Sequence, residues 1–151
     1  MSTWEHGVDR LLLAVDHVGV AVPDLEAAIA WYTEVLGLEV VHREVNHDQG
    51  VAEAMLAPPG AAQDGTQVQL LAPLSPQSPI ARFLDRSGPG LQQIAYRVAD
   101  VDHVAAEFRR RGLRLLYDSA RPGTRGSRIN FIHPKDAGGV LIELVEAASD
   151  G

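Results

Sequence analysis

Four polar residues, His17, Gln69, Gln93 and Glu143, each sit within an apolar, strand-like stretch and carry side chains able to bind a divalent cation. One imidazole, one carboxylate and two amide oxygens make a mixed nitrogen and oxygen donor set. Repetition singles these four out. His17 in DHVGVAV matches Gln93 in LQQIAYRV, and Gln69 in QVQLL matches Glu143 in LIELV, both at an offset of about 75 residues. Asp24 and Gly37 find counterparts in Asp100 and Gly112 at nearly the same offset. A fixed-period repeat of this kind marks two copies of one structural module.

The elements that must position these residues follow from local pattern. Alternate side chains in a strand face opposite ways, so Val18 and Val20 point away from His17, and Ile142 and Leu144 away from Glu143. The apolar set can pack under helices while the polar set lines the other face. Strands are expected over 11–22, 38–45, 51–56 and 66–71 in the first module, with a helix over 25–36 capped by Asp24 and ended by Gly37. In that helix Leu25, Ala28, Ile29, Tyr32 and Leu36 share one face. A second short helix is expected over 80–85. The second module repeats the order: a strand over 91–98, a helix over 101–111 capped by Asp100, then strands over 114–117, 129–133 and 139–145, with a Gly- and Arg-rich loop over 121–127. Each module reads β-α-β-β-β, with module one at about 11–74, module two at about 90–146, and a polar arm at 1–10. The fold class is α+β, with two tandem modules whose mixed sheet closes into a cup around the four polar residues.

Composition bounds the function. At 151 residues with 46% hydrophobic content, the chain is long enough for one compact domain with a sizeable core. No apolar run approaches the ~20 residues that span a membrane, and no signal peptide is visible, so a cytoplasmic location is expected. The absence of Cys removes disulfides and thiolate metal sites. A net charge of −7 argues against nucleic acid as a partner.

The paired plan resembles the vicinal oxygen chelate (glyoxalase/bleomycin resistance/dioxygenase) superfamily. Within it the chain is similar to the methylmalonyl-CoA epimerase family, on DHVGVAVPDLEAAIAWY at 16–32, NHDQGVAEAML at 46–56, QVQLLAPL at 67–74 and GSRINFIHPKDAGGVLIELVE at 126–146. The resemblance implies a metal site on His17, Gln69, Gln93 and Glu143, and acid/base roles for Glu53 and Glu143. Family members usually carry His where this chain has Gln93, which leaves cobalt, manganese, magnesium or zinc as the expected ion and favours oxygen-preferring ones. The implied activity is a metal-dependent interconversion of (2R)- and (2S)-methylmalonyl-CoA, or of a close 2-alkylmalonyl-CoA, through α-proton removal and a metal-stabilised enolate. A homodimer is implied as well.

That chemistry suits the residues. Two acid/base groups, one per face of the α-carbon, suffice for epimerisation, and a cation stabilises the enolate. Glu53 shares a strand face with Val51 and Met55, and apolar surroundings raise a carboxyl pKa toward a useful range. Coenzyme A is highly anionic, so local basic residues are needed on an acidic protein. Arg121, Arg125, Arg128 and Lys135 form the candidate patch. Two other readings share the fold. A glyoxalase-like isomerase or ring-cleaving dioxygenase is one, although an iron site of two His and one carboxylate finds only one His here. A non-catalytic small-molecule binding protein is the other, and it would not need carboxylates at both Glu53 and Glu143.

Overall fold

The structure, a computed structural model, describes residues 10–149; of the arm expected at 1–10, only Arg10 falls within them. The first half runs β1 (Ala14–Ala21), α1 (Leu25–Glu34), β2 (Glu39–Asn46), β3 (Val51–Ala57) and β4 (Gln67–Pro73). Helix α2 (Pro79–Ser87) then leads into β5 (Gly90–Arg97), α3 (Val101–Arg110), β6 (Arg121–Pro122), β7 (Arg128–Ile132) and β8 (Leu141–Glu146). The helices start where side chains can satisfy their free N–H groups. Asp24 accepts from the Ala27 N–H at 3.1 Å, and Asp100 from those of Asp102 and His103 at 3.0 and 3.1 Å. After α1 and α3, Gly37 and Gly112 take φ of 73° and 88°, a region that glycine enters freely.

All eight strands form one mixed sheet in the order β2-β3-β4-β1-β5-β8-β7-β6. β1 pairs with β4, and β5 with β8, in parallel. The remaining neighbours are antiparallel, including the β1–β5 seam where the two copies meet. The sheet curls until its two ends touch. Asn46 at the end of β2 donates to the Pro122 carbonyl of β6 at 3.3 Å, and Arg121 pairs with Asp48 at 3.1 Å.

The helices cover the outer face. Leu25, Ala28, Ile29 and Tyr32 of α1 pack on Val22, Ala54, Leu56 and Leu70. Val101, Val104 and Phe108 of α3 pack with Val98, Ile132 and Leu144. The two helices are not equally covered: no residue of α1 is fully buried, and Trp31, Val35 and Leu36 on and just after it are exposed.

One expected strand is absent. Segment 114–117 makes only a single bridge, Leu115 to Ile132, and the second strand of module two is instead the two-residue β6. The buried side chain of Asn130 accounts for this. It accepts from the Tyr117 N–H at 3.1 Å and donates to the Tyr117 carbonyl at 3.0 Å, so a carboxamide takes the ladder bonds a strand would have used. Its oxygen also accepts from the Phe131 N–H at 2.8 Å. Asn130→Ala therefore strands buried backbone groups and is expected to cost roughly 1–3 kcal/mol. A lowered urea midpoint with an unchanged slope would check it.

Candidate active site

Glu53, Gln69, His17, Gln93 and Glu143 come from β3, β4, β1, β5 and β8, five strands consecutive in the sheet. All five are buried. They face the concave side because their apolar neighbours are claimed by the helices, and hydrogen bonds join them across the cup floor. His17 Nε2 donates to Glu143 Oε1 at 3.0 Å. Gln93 Nε2 donates to the same oxygen at 2.5 Å and to Gln69 Oε1 at 3.3 Å. Gln69 Nε2 donates in turn to Glu53 Oε2 at 2.9 Å. The Thr124 hydroxyl, from the loop after β6, donates to Glu53 Oε1 and sits 3.3 Å from Gln69 Nε2.

Charge at the two ends of this row is balanced differently. Burial alone would lower the His17 pKa, but its Nδ1–H bond to Asp16 at 2.7 Å and its bond to Glu143 lift it to about 9. Asp16 is in turn held below its ordinary range by His17 and by Arg97, whose Nε lies 3.0 Å away. Glu53 has no cationic partner. Burial pushes its carboxyl up to about 7, with Glu44 and Glu143 adding repulsion, while the Thr124 bond pulls the other way. A carboxyl titrating near neutrality can both take and return a proton.

Glu53, Gln69, Gln93 and Glu143 form one wall of a cavity of about 120 Å³, room for a small branched acyl group. The rest of the lining is largely apolar, including Val51, Leu71, Ile80, Ile129, Phe131 and Leu141, with Tyr117 and Gln49 at one side. No Lys, Arg or His lines it, yet Glu53 and Glu143 both do. An anionic ligand entering this space therefore needs a cation beside it. The floor suits one: Gln93 N–H and His17 N–H converge on a single Glu143 oxygen, and the Gln69 oxygen joins them through Gln93. Replacing those N–H hydrogens by a divalent ion, with the Gln93 amide turned, leaves one nitrogen and three oxygens as donors. Gly19 makes room for Gln93, since a Cβ there would lie 2.8 Å from Gln93 Cγ. Among the described residues no group of three His, Cys, Asp or Glu side chains gathers as a metal cluster, so a set of two His and one carboxylate is not present.

The four basic residues do not converge. Arg121 stands at the rim, its guanidinium 4.8 Å above the Tyr117 ring and paired with Asp48. Arg125 lines a second cavity behind His17, and its N–H donates to Glu44 at 2.7 Å. Arg128 pairs on the outside with Asp102 at 2.7 Å and Glu146 at 3.4 Å. Lys135 lies in a short turn after β7, and neither it nor Arg128 lines either of these two cavities. The loop's contribution is instead Thr124, which sequence reasoning missed because a lone threonine among arginines carries no pattern. Gln92 was missed as well, and it lines the cavity beside Gln93.

Known proteins share this sequence pattern and fold. The Glyoxalase/Bleomycin resistance protein/Dioxygenase superfamily profile matches residues 16–131. The chain is 39% identical to the ethylmalonyl-CoA/methylmalonyl-CoA epimerase of Cereibacter sphaeroides, over 86% of this chain and 95% of that protein. It is 58% identical to the crystallised methylmalonyl-CoA epimerase of Mycobacterium tuberculosis, with a TM-score of 0.86 over 92% and 91% of the two chains. A variant methylmalonyl-CoA epimerase of Streptomyces coelicolor in complex with 2-nitronate-propionyl-CoA is 45% identical, with a TM-score of 0.86 over 91% and 99%.

The Glu53 environment yields a test. Its folded pKa lies above its ordinary value of 4.5, so the stability it contributes is full below about 4.5 and lost as pH rises through about 7. Thr124→Val removes a hydrogen bond that lowers this pKa and should move the Glu53 titration to higher pH. Carboxyl-carbon NMR of parent and variant measures the shift directly.

Proposed function

The chain belongs to the methylmalonyl-CoA epimerase family of the glyoxalase/bleomycin resistance/dioxygenase superfamily, and from that premise we propose that it interconverts (2R)- and (2S)-methylmalonyl-CoA. The observation that carries the reading is the placement of two buried carboxyls, Glu53 and Glu143, along one wall of an acyl-sized cavity with two amides between them and the His17 imidazole bonded to Glu143. Epimerisation removes the α-proton from one face and returns one to the other. Glu53, titrating near pH 7, is the acid/base on one face. Glu143 is the group for the other. Its Oε1 accepts both floor hydrogen bonds, and Oε2 has no protein donor among the described residues. The apolar wall keeps bulk water from the α-carbon.

His17, Gln69, Gln93 and Glu143 would hold a divalent cation, which supplies positive charge beside the substrate oxygens where negative charge develops. His17 must give up its Nε2 proton to serve, and its Nδ1–H stays oriented by Asp16. With three oxygen donors, manganese, magnesium and cobalt suit the site better than zinc. Of the four basic residues, Arg121 at the rim is the nearest to a phosphate contact for the coenzyme. A second copy of the chain fits the apolar surface left by Trp31, Val35 and Leu36 with Val40 and Val41 of edge strand β2. No helix of the described residues is long and apolar enough to cross a membrane.

The direct test is α-proton exchange of methylmalonyl-CoA in heavy water. Exchange should be catalysed by the cation-loaded protein and lost on chelation. Glu53→Gln should slow it by roughly 10²–10⁴-fold with thermal stability retained. Exchange at the parent rate in that variant would remove Glu53 as the base, and no exchange by the parent would remove the epimerase reading.

The unusual ligand gives a second test, on binding alone. Gln93→His restores a second nitrogen donor and should raise affinity for cobalt and zinc, with the gain limited by the lack of a partner for the new ring. Titration of metal-free parent and variant by cobalt absorption reads it. Equal affinities would mean that Gln93 does not touch the ion.

A further inference from the structure

Two buried side-chain oxygens have no hydrogen-bond partner among the described residues, Ser127 Oγ and Gln92 Oε1. Gln92 lines the same cavity as Glu53, Gln93 and Glu143. Neighbouring residues of a strand face opposite sides of the sheet, and Gln93 already occupies the cavity side. The β1–β5 register explains how Gln92 joins it: Gly19 pairs with Gln93 and Val20 with Leu91, so Gln92 is the extra, unpaired residue of a bulge. The backbone is thus irregular at the one point that turns a second carboxamide inward, and that carboxamide ends in an acceptor without a donor.

An unsatisfied buried acceptor is unfavourable in the free protein and calls for an explanation. Three other carboxamide oxygens of the cavity already have donors. Gln49 Oε1 accepts from the Tyr117 hydroxyl, Asn46 Oδ1 from the Gln49 N–H, and Gln69 Oε1 from Gln93. The reacting head of a malonyl thioester cannot satisfy Gln92, since an ionised carboxylate and a thioester carbonyl are acceptors only. The first donor along a coenzyme A thioester is the secondary amide N–H two carbons beyond the sulfur.

Building on the epimerase reading, we infer that Gln92 Oε1 accepts a hydrogen bond from an amide N–H of the substrate's pantetheine arm, making Gln92 the residue that selects amide-armed thioesters and sets the acyl head against the row. The group left unpaired in the free protein finds its partner on binding. A thioester lacking that N–H leaves the acceptor buried and unpaired, which is the strongest form of discrimination a polar pocket offers.

The test compares two substrates, methylmalonyl-pantetheine and the S-propyl thioester of methylmalonate, which lacks the amide. Neither carries the nucleotide, so rim contacts do not enter. The parent should prefer the amide-bearing thioester in kcat/KM. Gln92→Met should reduce that preference about tenfold, through KM more than kcat, and its free form should melt at or above the parent temperature because an unpaired polar group has been removed. Gln92→Glu keeps an acceptor oxygen and should retain the preference. Equal losses on both thioesters in Gln92→Met, or an unchanged ratio, would overturn the assignment while parent exchange left the epimerase reading standing. A parent that exchanges neither thioester nor methylmalonyl-CoA would overturn both.

Discussion

Everything about this fold answers to the problem of keeping two carboxyls, Glu53 and Glu143, inside an apolar cavity that no Lys or Arg enters. Taking a carboxylate out of water without compensation is prohibitive. The structure meets the cost in two ways. Glu143 is bonded to His17 and Gln93, and His17 passes its charge outward to Asp16 and Arg97. Glu53 receives only neutral donors, Gln69 and Thr124, and burial raises its pKa to about 7. One carboxyl is bonded to an imidazole and an amide, and the other is poised near neutrality. That difference separates their roles, and it arises from neighbours rather than from the acids themselves.

Such neighbours can be assembled only if the two modules share one sheet. Each module supplies two floor residues at equivalent positions, His17 and Gln69 from the first, Gln93 and Glu143 from the second. The antiparallel β1–β5 seam brings His17 and Gln93 onto adjacent strands, and Gly19 removes the one Cβ that would collide between them. Beyond the floor the symmetry is broken. β3 carries Glu53 into the cavity, while its counterpart β7 offers Ile129 and Phe131. One side of the cup thus presents a carboxyl and the other a hydrophobic wall, which would suit a substrate with a reacting carbon and an apolar branch. The loop after β6 closes the arrangement by reaching across the curl to Glu53 and Glu44 through Thr124 and the Arg125 N–H.

The floor was legible in the sequence because two independent regularities agreed. Period-two alternation assigned a face to His17, Gln69 and Glu143, and the offset of about 75 residues tied them to one another and to Gln93. Helix starts at Asp24 and Asp100 were legible through capping chemistry. What escaped depends on tertiary detail. Alternation would send Gln92 to the helix side, and only the bulge against Gly19 and Val20 reverses it. Residues 114–117 look like a strand, but the carboxamide of Asn130 takes the backbone hydrogen bonds of Tyr117 and ends the pairing there. The arginines near 121–128 form a cluster in one dimension only, because the loop and β7 turn Arg121 to the rim, Arg125 behind His17 and Arg128 to the outer face.

Gln93 shows how a change of ligand alters more than affinity. A carboxamide carries donors and an acceptor on one planar group, so turning it exchanges two N–H groups for a carbonyl oxygen. With its N–H groups inward it bridges Glu143 and Gln69 and satisfies the floor from within the protein. With its oxygen inward it completes the donor set for a cation. A neutral imidazole at the same place has a single N–H, on the side opposite its lone-pair nitrogen, and cannot serve both oxygens in this way. The glutamine therefore lets the buried row remain hydrogen-bonded whether or not an ion is bound. An ion binding here would compete with a satisfied network, which would weaken binding relative to a site built with histidine. The row of amides keeps the floor hydrogen-bonded, and a bound cation would supply positive charge beside the substrate oxygens.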